Sequence, residues 1–177
     1  RAIASSKRVA NPGCHATGLI SSAAPLIRMG ILPADYPLTC YSLTGYSGGG
    51  KKMIAQYESE AKPEALRAPG IYGLTLRHKH IPEMQKVTGL TFPPVFMPVV
   101  DDYYKGMATS IMLQNRLLPG QPTAEEICAR LQDYYKDEHF VTVLPYDSAQ
   151  PTLYANALAG TNHLQLVVCG HEDQTSV

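Results

Sequence analysis

Asn11-Pro12-Gly13-Cys14-His15-Ala16-Thr17-Gly18 places a cysteine at the head of an apolar run. Leu19, Ile20, Ala23, Ala24, Leu26, Ile27 and Met29 recur at helical intervals, and Gly30 supplies a stop. The spacing predicts Cys14 in the first turn of a helix that Pro25 is able to kink. There, unpaired N–H groups and the positive end of the macrodipole favour a thiolate, the nucleophilic form of the side chain. Pro12-Gly13 makes the approach tight and uncluttered, glycine leaving room for a reacting group near the backbone. The competing reading is a structural cysteine inside a core helix, because free cysteines are mostly buried and inert.

Two further stretches carry chemistry. Gly45-Tyr46-Ser47-Gly48-Gly49-Gly50-Lys51-Lys52 is a glycine-rich turn able to present several N–H groups to an anion, or simply a flexible connection with two solvated lysines. Neither G-x-x-x-x-G-K-[ST] nor G-x-G-x-x-G occurs, so the turn is not a nucleotide phosphate loop. Tyr72 to His80 is expected to be extended at least in part, which would put His78 and His80 on one side. Pro82 suits the first turn of a short helix ending near Gly89. A histidine at that junction feels helix N-terminal N–H groups, which keep its imidazole neutral and available as a base. Asp101-Asp102 invites a metal, but adjacent residues on an extended chain point opposite ways, and turn chemistry is the better reading.

The elements that must position these groups follow from pattern. Arg8-Val9-Ala10 reads as the close of a strand, and 38–44 as a strand with Cys40 in the core. A helix is expected through Met53, Ile54 and Tyr57, then surface loop or a frayed helix end over 58–70. Strands are predicted at 94–100 and 106–113, with Met97, Met107 and Met112 as core. Thr123-Ala124-Glu125-Glu126 is a capping box opening a helix whose Ile127, Leu131 and Tyr134 share a face, with Cys128 beside it. A short strand at 140–144, a loop with a helical turn at 152–160, and a strand at 163–169 follow. The turn at 171–174 leads into a return strand at 175–177. A hairpin whose return strand has three residues leaves its partner as an unpaired edge and is a poor natural end, so the chain reads as a piece of a longer protein.

Composition narrows the partners. The 177 residues suit one domain, with 45% apolar and 17% charged residues, and Lys+Arg equals Asp+Glu at 15 each. A net charge near zero gives no electrostatic case for nucleic acid or an anionic membrane, and no apolar run is long enough to span one. The four cysteines, Cys14, Cys40, Cys128 and Cys169, are widely spaced with no zinc-type cluster, so no metal is expected. They read as reduced thiols in a cytoplasmic protein, the alternative being a secreted domain with two disulfides.

Taken in order, Asn11-Pro12-Gly13-Cys14, Ser47-Gly48-Gly49-Gly50-Lys51 and His78-Lys79-His80-Ile81-Pro82-Glu83-Met84 resemble the N-acetyl-gamma-glutamyl-phosphate reductases of arginine biosynthesis, particularly the shorter variety. Gly160-Thr161-Asn162 and Gly170-His171-Glu172-Asp173 look like that family too, so the resemblance covers effectively the whole chain. It implies an α/β (α+β) fold with a mixed, largely antiparallel sheet and helices packed on it. The likeness is to the second domain of glyceraldehyde-phosphate and aspartate-semialdehyde dehydrogenases. Residues 1–177 would be the catalytic and dimerisation domain, a homodimer or homotetramer, with NADP bound mainly by a Rossmann domain that this sequence lacks.

Reduction of an acyl phosphate substrate to a semialdehyde would then run through a thioester on Cys14, with His80 as first and His78 as second choice of acid/base. Asn11, Gly13, Ser47, Gly48, Gly49 and Lys51 would bind substrate or phosphate. One departure stands out: the family's cysteine is usually followed by Tyr-Pro-Thr, and here His15-Ala16-Thr17 follows. The alternatives are a semialdehyde-dehydrogenase-like enzyme acting on another acyl phosphate, or a dimerisation module without catalysis in isolation.

Overall fold

A computed structural model describes residues 2–148 and 152–177. After a short helix α1 (Ala2–Ser5) the chain runs exposed and irregular to Gly13, so the strand expected at Arg8-Val9-Ala10 does not form. Val9 is solvent-exposed and meets no partner strand. Helix α2 (Cys14–Arg28) begins where the spacing predicts, burying Ala16, Leu19, Ala23 and Leu26. Pro25 lies inside it and has no N–H for the Ser21 carbonyl; the Tyr135 hydroxyl donates to that carbonyl instead at 2.8 Å.

Strand β1 (Thr39–Gly45) leads through a 3₁₀ turn (Tyr46–Gly49) into α3 (Gly50–Tyr57). The two-residue β2 (Gly70–Ile71) precedes α4 (Ile81–Thr88), and β3 (Val95–Asp101) and β4 (Met107–Gln114) follow. Helix α5 (Ala124–Tyr135) has both bonds of the expected capping box: Glu126 N–H donates to Thr123 Oγ1 at 3.2 Å, and Thr123 N–H to Glu126 Oε2 at 2.8 Å. The chain closes with β5 (Val141–Val143), β6 (Leu164–Leu166), β7 (Cys169–Gly170) and β8 (Gln174–Ser176).

The main sheet has the order β2-β3-β1-β4-β8-β7, while β5 and β6 pair parallel in a second, small sheet. Only β1 and β3 run parallel in the main sheet, as a β1–β3 crossover through α3 and α4 requires; every other pairing is antiparallel. The fold is therefore the mixed, largely antiparallel sheet with helices that the resemblance implies. Cys40, Phe96, Ile111 and Leu113 join Leu19, Leu26, Met84, Ile127 and Leu131 in one core between sheet and helices. The alternate residues, Thr39, Tyr41, Leu43, Met97, Ser110 and Met112, fall on the other face.

Several expectations give way. Met112 is 45% exposed because it lies on that outer face, and Met97 and Met107 are only half-buried. Tyr134 is exposed and its hydroxyl accepts from Arg28 at 2.8 Å. The predicted strand at 163–169 divides between the two sheets. Residues 154–161 form successive tight turns rather than a helical one. The return strand β8 lies inside the sheet, between β4 and β7, and its hairpin partner β7 is at the edge, as expected. The paired aspartates serve structure, Asp101 accepting from the Asp102 N–H at 2.7 Å and Asp102 pairing with Lys62 at 2.6 Å.

Candidate active site

Cys14 is exposed at the head of α2, and Gly13 is its N-cap with extended backbone. The Gly13 N–H donates to Glu83 Oε2 at 3.0 Å, so a carboxylate in the first turn of α4 ties the two helix heads together. His80, the N-cap of α4, lays its ring against Gly13: a Cβ added there would fall 2.4 Å from His80 Cδ2 and Nε2.

The histidine pair meets by turns, not along a strand. After Ile71 the ladder ends with Tyr72 N–H donating to Pro98 O. Gly73 and Leu76 then take positive φ, 65° and 55°, and the Leu76 N–H closes a turn on Gly73 O. The His78 and His80 rings finish 4.8 Å apart, edge to face. The His80 N–H donates to His78 Nδ1 at 3.3 Å, so that nitrogen of His78 is an acceptor. His80 Nδ1 is buried and has no protein partner. Burial lowers both histidines from the ordinary value, reinforced by Lys79; Glu83 opposes it at His80. The shift runs toward the neutral imidazole expected at this junction, with burial as its leading cause.

These groups open on a cleft of about 180 Å³ that also takes in His15, Tyr72, Gly48, Gly49 and Lys79. Of the predicted substrate-binding residues, Gly13 supports the cleft through His80 and Glu83, and Gly48 and Gly49 line it. Asn11, Ser47 and Lys51 do not line it; the Ser47 N–H is spent on the Tyr104 carbonyl at 2.9 Å.

Sequence reasoning passed over Lys79, Tyr72, Glu83 and His15 as site residues. An extended reading sent Lys79 to the face opposite its two histidines, whereas the turns bring all three to the cleft. Glu83 was visible inside His-x-His-x-Pro-Glu but read only as a helix start. No periodic signal marks Tyr72.

His15 is 2% exposed behind Cys14. Its Nδ1 meets Ser42 Oγ at 2.7 Å and its Nε2 meets the Tyr72 hydroxyl at 2.8 Å. Burial, with His78, His80 and Lys79 nearby, lowers its pKa to about 4, so it is neutral near pH 7. Burial also raises the Tyr72 phenol to about 12, with the charge of Cys14 adding to the rise.

Gly13→Ala isolates the packing at this junction. Gly13 has an ordinary φ of −66°, so alanine costs no backbone strain, and its methyl acts only by displacing the His80 ring. Overpacking of this kind is expected to cost about 1–3 kcal/mol in urea unfolding and to shift the His80 ring signals in NMR spectra. Unchanged ring signals would show that the contact is not as described.

Residues 14–177 match the family described as semialdehyde dehydrogenase, dimerisation domain. This chain belongs to that family. It is 44% identical over 179 residues to N-acetyl-gamma-glutamyl-phosphate reductase 2 of Pseudomonas putida, covering 99% of this chain and 56% of the relative. It is 41% identical to N-acetyl-gamma-glutamyl-phosphate reductase 2 of a Nostoc species, covering 97% of this chain and 56% of the relative. The chain thus spans little more than half the length of these curated relatives.

Aspartate semialdehyde dehydrogenase from Francisella tularensis superposes with a TM-score of 0.64 at 10% identity, covering 94% of this chain and 57% of that one. Aspartate semialdehyde dehydrogenase II from Vibrio cholerae gives 0.60 at 15% identity, covering 95% and 55%. These structures share the fold. Among the described residues no helix is long and apolar enough to cross a membrane, and no group of three or more His, Cys, Asp or Glu side chains is placed to hold a metal ion.

Proposed function

We propose that this chain is the catalytic and dimerisation domain of a reductase that converts N-acetyl-glutamyl 5-phosphate to N-acetyl-glutamate 5-semialdehyde and phosphate, by way of a thioester on Cys14. The observation that carries this reading is the convergence of Cys14, the His78–His80 pair and the Gly48-Gly49 turn on one cleft. The likeness of nearly the whole chain to the reductases of Pseudomonas putida and Nostoc supports this choice of substrate.

In this reading the Cys14 sulfur attacks the acyl carbon. An S–C bond forms, the C–O bond to phosphate breaks, and phosphate leaves with the electron pair. His80 takes the thiol proton: its Nε2 edge faces Gly13, one residue from the nucleophile, while His78 Nδ1 is already engaged by the His80 N–H. Gly48, Gly49 and the Lys79 ammonium hold the phosphate end.

NADP, whose reduced form NADPH is the hydride donor of such a reductase, does not fit the described residues. The cleft is smaller than the roughly 300–1,000 Å³ of sites for drug-sized ligands, and no dinucleotide fingerprint occurs. We assign its binding to the part of the relatives that this chain does not span. Self-association is assigned to the outer face of the main sheet, where Met112 is exposed and Tyr41, Leu43 and Met97 stand half-covered.

The test is substrate profiling of the full-length protein in the reverse, phosphate-dependent direction. N-acetyl-glutamate semialdehyde is expected to be oxidised with kcat/KM at least about a hundredfold above aspartate semialdehyde, because a site built to pair polar groups rejects analogues that leave them unpaired. Preference for the free-amino substrate would replace this reading with an aspartate-semialdehyde-dehydrogenase-like one.

A further inference from the structure

Behind the cleft lies a line of polar side chains that the acylation chemistry does not use. Thr109 on β4 meets Ser42 on β1, Oγ1 to Oγ, at 2.8 Å. Ser42 meets His15 Nδ1 at 2.7 Å, and His15 Nε2 meets the Tyr72 hydroxyl at 2.8 Å. Ser42 is fully buried and His15 nearly so, whereas Tyr72 reaches the cleft beside Cys14. We propose that Thr109, Ser42 and His15 form a directed hydrogen-bond chain that ends on the Tyr72 oxygen and leaves the Tyr72 hydroxyl proton to be donated to negative charge at Cys14. Its use in catalysis rests on the thioester reading above; its geometry does not.

Direction is the substance of the proposal. A neutral imidazole has one donor and one acceptor nitrogen, so the chain has only two consistent senses. In one, Tyr72 gives its proton to His15 Nε2, and His15 and Ser42 pass theirs inward to Thr109. That sense turns a phenol lone pair toward the cleft that Tyr72 and Cys14 both line, where it would face the sulfur anion of the acylation step. In the other, Thr109 donates to Ser42, Ser42 to His15 Nδ1, and His15 Nε2–H to the Tyr72 oxygen. The phenol proton then faces the anion, and each bond polarises the next.

The surroundings hold His15 neutral, as both senses require, and what favours the second is the place of Tyr72 beside Cys14 in the cleft. His78 and His80 flank His15 with ring centroids 5.6 and 5.7 Å away, and Lys79 lies between them in sequence, so nothing cationic is welcome on His15 itself. Glu83, from α4, is held by the Gly13 N–H. Thr109 is packed so closely on Gly18 that a Cβ there would fall 2.4 Å from its Oγ1, which anchors the far end of the chain on α2. In the proposal Tyr72, which lines the cleft with Cys14, is the group that acts on the reacting centre, and His15 is a positioning residue.

Two measurements on this chain test the proposal. Long-range ¹H–¹⁵N NMR spectra near neutral pH are expected to show His15 neutral with its proton on Nε2; a proton on Nδ1 overturns the proposal. The second is alkylation by iodoacetamide, read at the Cys14 peptide by mass spectrometry because Cys169 is also exposed. Tyr72→Phe removes the hydroxyl that the proposal has donating to the sulfur anion and leaves the sulfur itself in place. Alkylation near neutral pH is therefore expected to be about threefold slower, and an unchanged rate overturns the proposal.

His15→Gln, whose amide can still donate to Tyr72, is expected to keep most of the rate. His15→Phe should match Tyr72→Phe without adding to it in the double variant. If His15→Phe does not fold, the NMR result on the unaltered chain decides. Neither measurement involves reductase turnover, so a failed substrate assay leaves them standing, and a proton on Nδ1 leaves the reductase reading intact.

Discussion

Cys14→Ser in the full-length protein is expected to lower reductase turnover by about 10⁶-fold, the scale on which an enzyme feels the loss of its nucleophile. A serine hydroxyl at neutral pH offers almost no oxyanion to the acyl carbon, and nothing in the cleft compensates. Because Cys14 is exposed at a helix head, the fold should be indifferent, with stability within about 0.5 kcal/mol of the parent. The direct measurement is intact-protein mass after mixing with the acyl phosphate. The parent should gain the N-acetyl-glutamyl mass and the serine variant should not. Retained turnover in Cys14→Ser would remove the thioester from the mechanism.

His80→Ala is expected to lower kcat/KM by about 10²–10⁴-fold, the range for a positioned acid/base, with His78→Ala milder. The asymmetry comes from geometry: His80 packs on the residue preceding the nucleophile, while the His78 Nδ1 is committed to a backbone N–H. Because burial lowers His80 from its ordinary value, its neutral form persists to lower pH than in a free histidine. The acid limb of the parent's pH–rate profile should therefore lie below about 6.5 and disappear in His80→Ala. A larger loss in His78→Ala would exchange the two roles.

Helix α2 was legible because its apolar spacing and its Gly13-Cys14 head agree, and α5 because the Thr123–Glu126 capping box is a local device. Local signals also singled out Cys14, His78 and His80, which line one cleft. What stayed hidden was non-local. His78, Lys79 and His80 share the cleft because Gly73 and Leu76 leave the extended region, and nothing around Leu76 advertises a positive φ. His15 stands out only as an oddity beside a cysteine; its partner Ser42 lies 27 residues away, and the Ser42 partner Thr109 a further 67. Met112 read as core because strand periodicity shows alternation without saying which face is covered.

The position of β8 has a consequence for how the chain reaches this structure. Leu113 pairs with Thr175 and Cys169 with Ser176, so the final strand of the chain fills a slot between two earlier ones. During synthesis β1, β3 and β4 can assemble as soon as they emerge, but β4 keeps an open hydrogen-bonding edge until residues 174–176 arrive. The Ile111 and Leu113 layer beneath it closes only then, and such long-range pairing must meet its loop-closure entropy before any contact rewards it. A nascent chain that stalls after α5 would expose that edge to other strands, which makes the interval between α5 and β8 the point at which this protein is most open to aggregation.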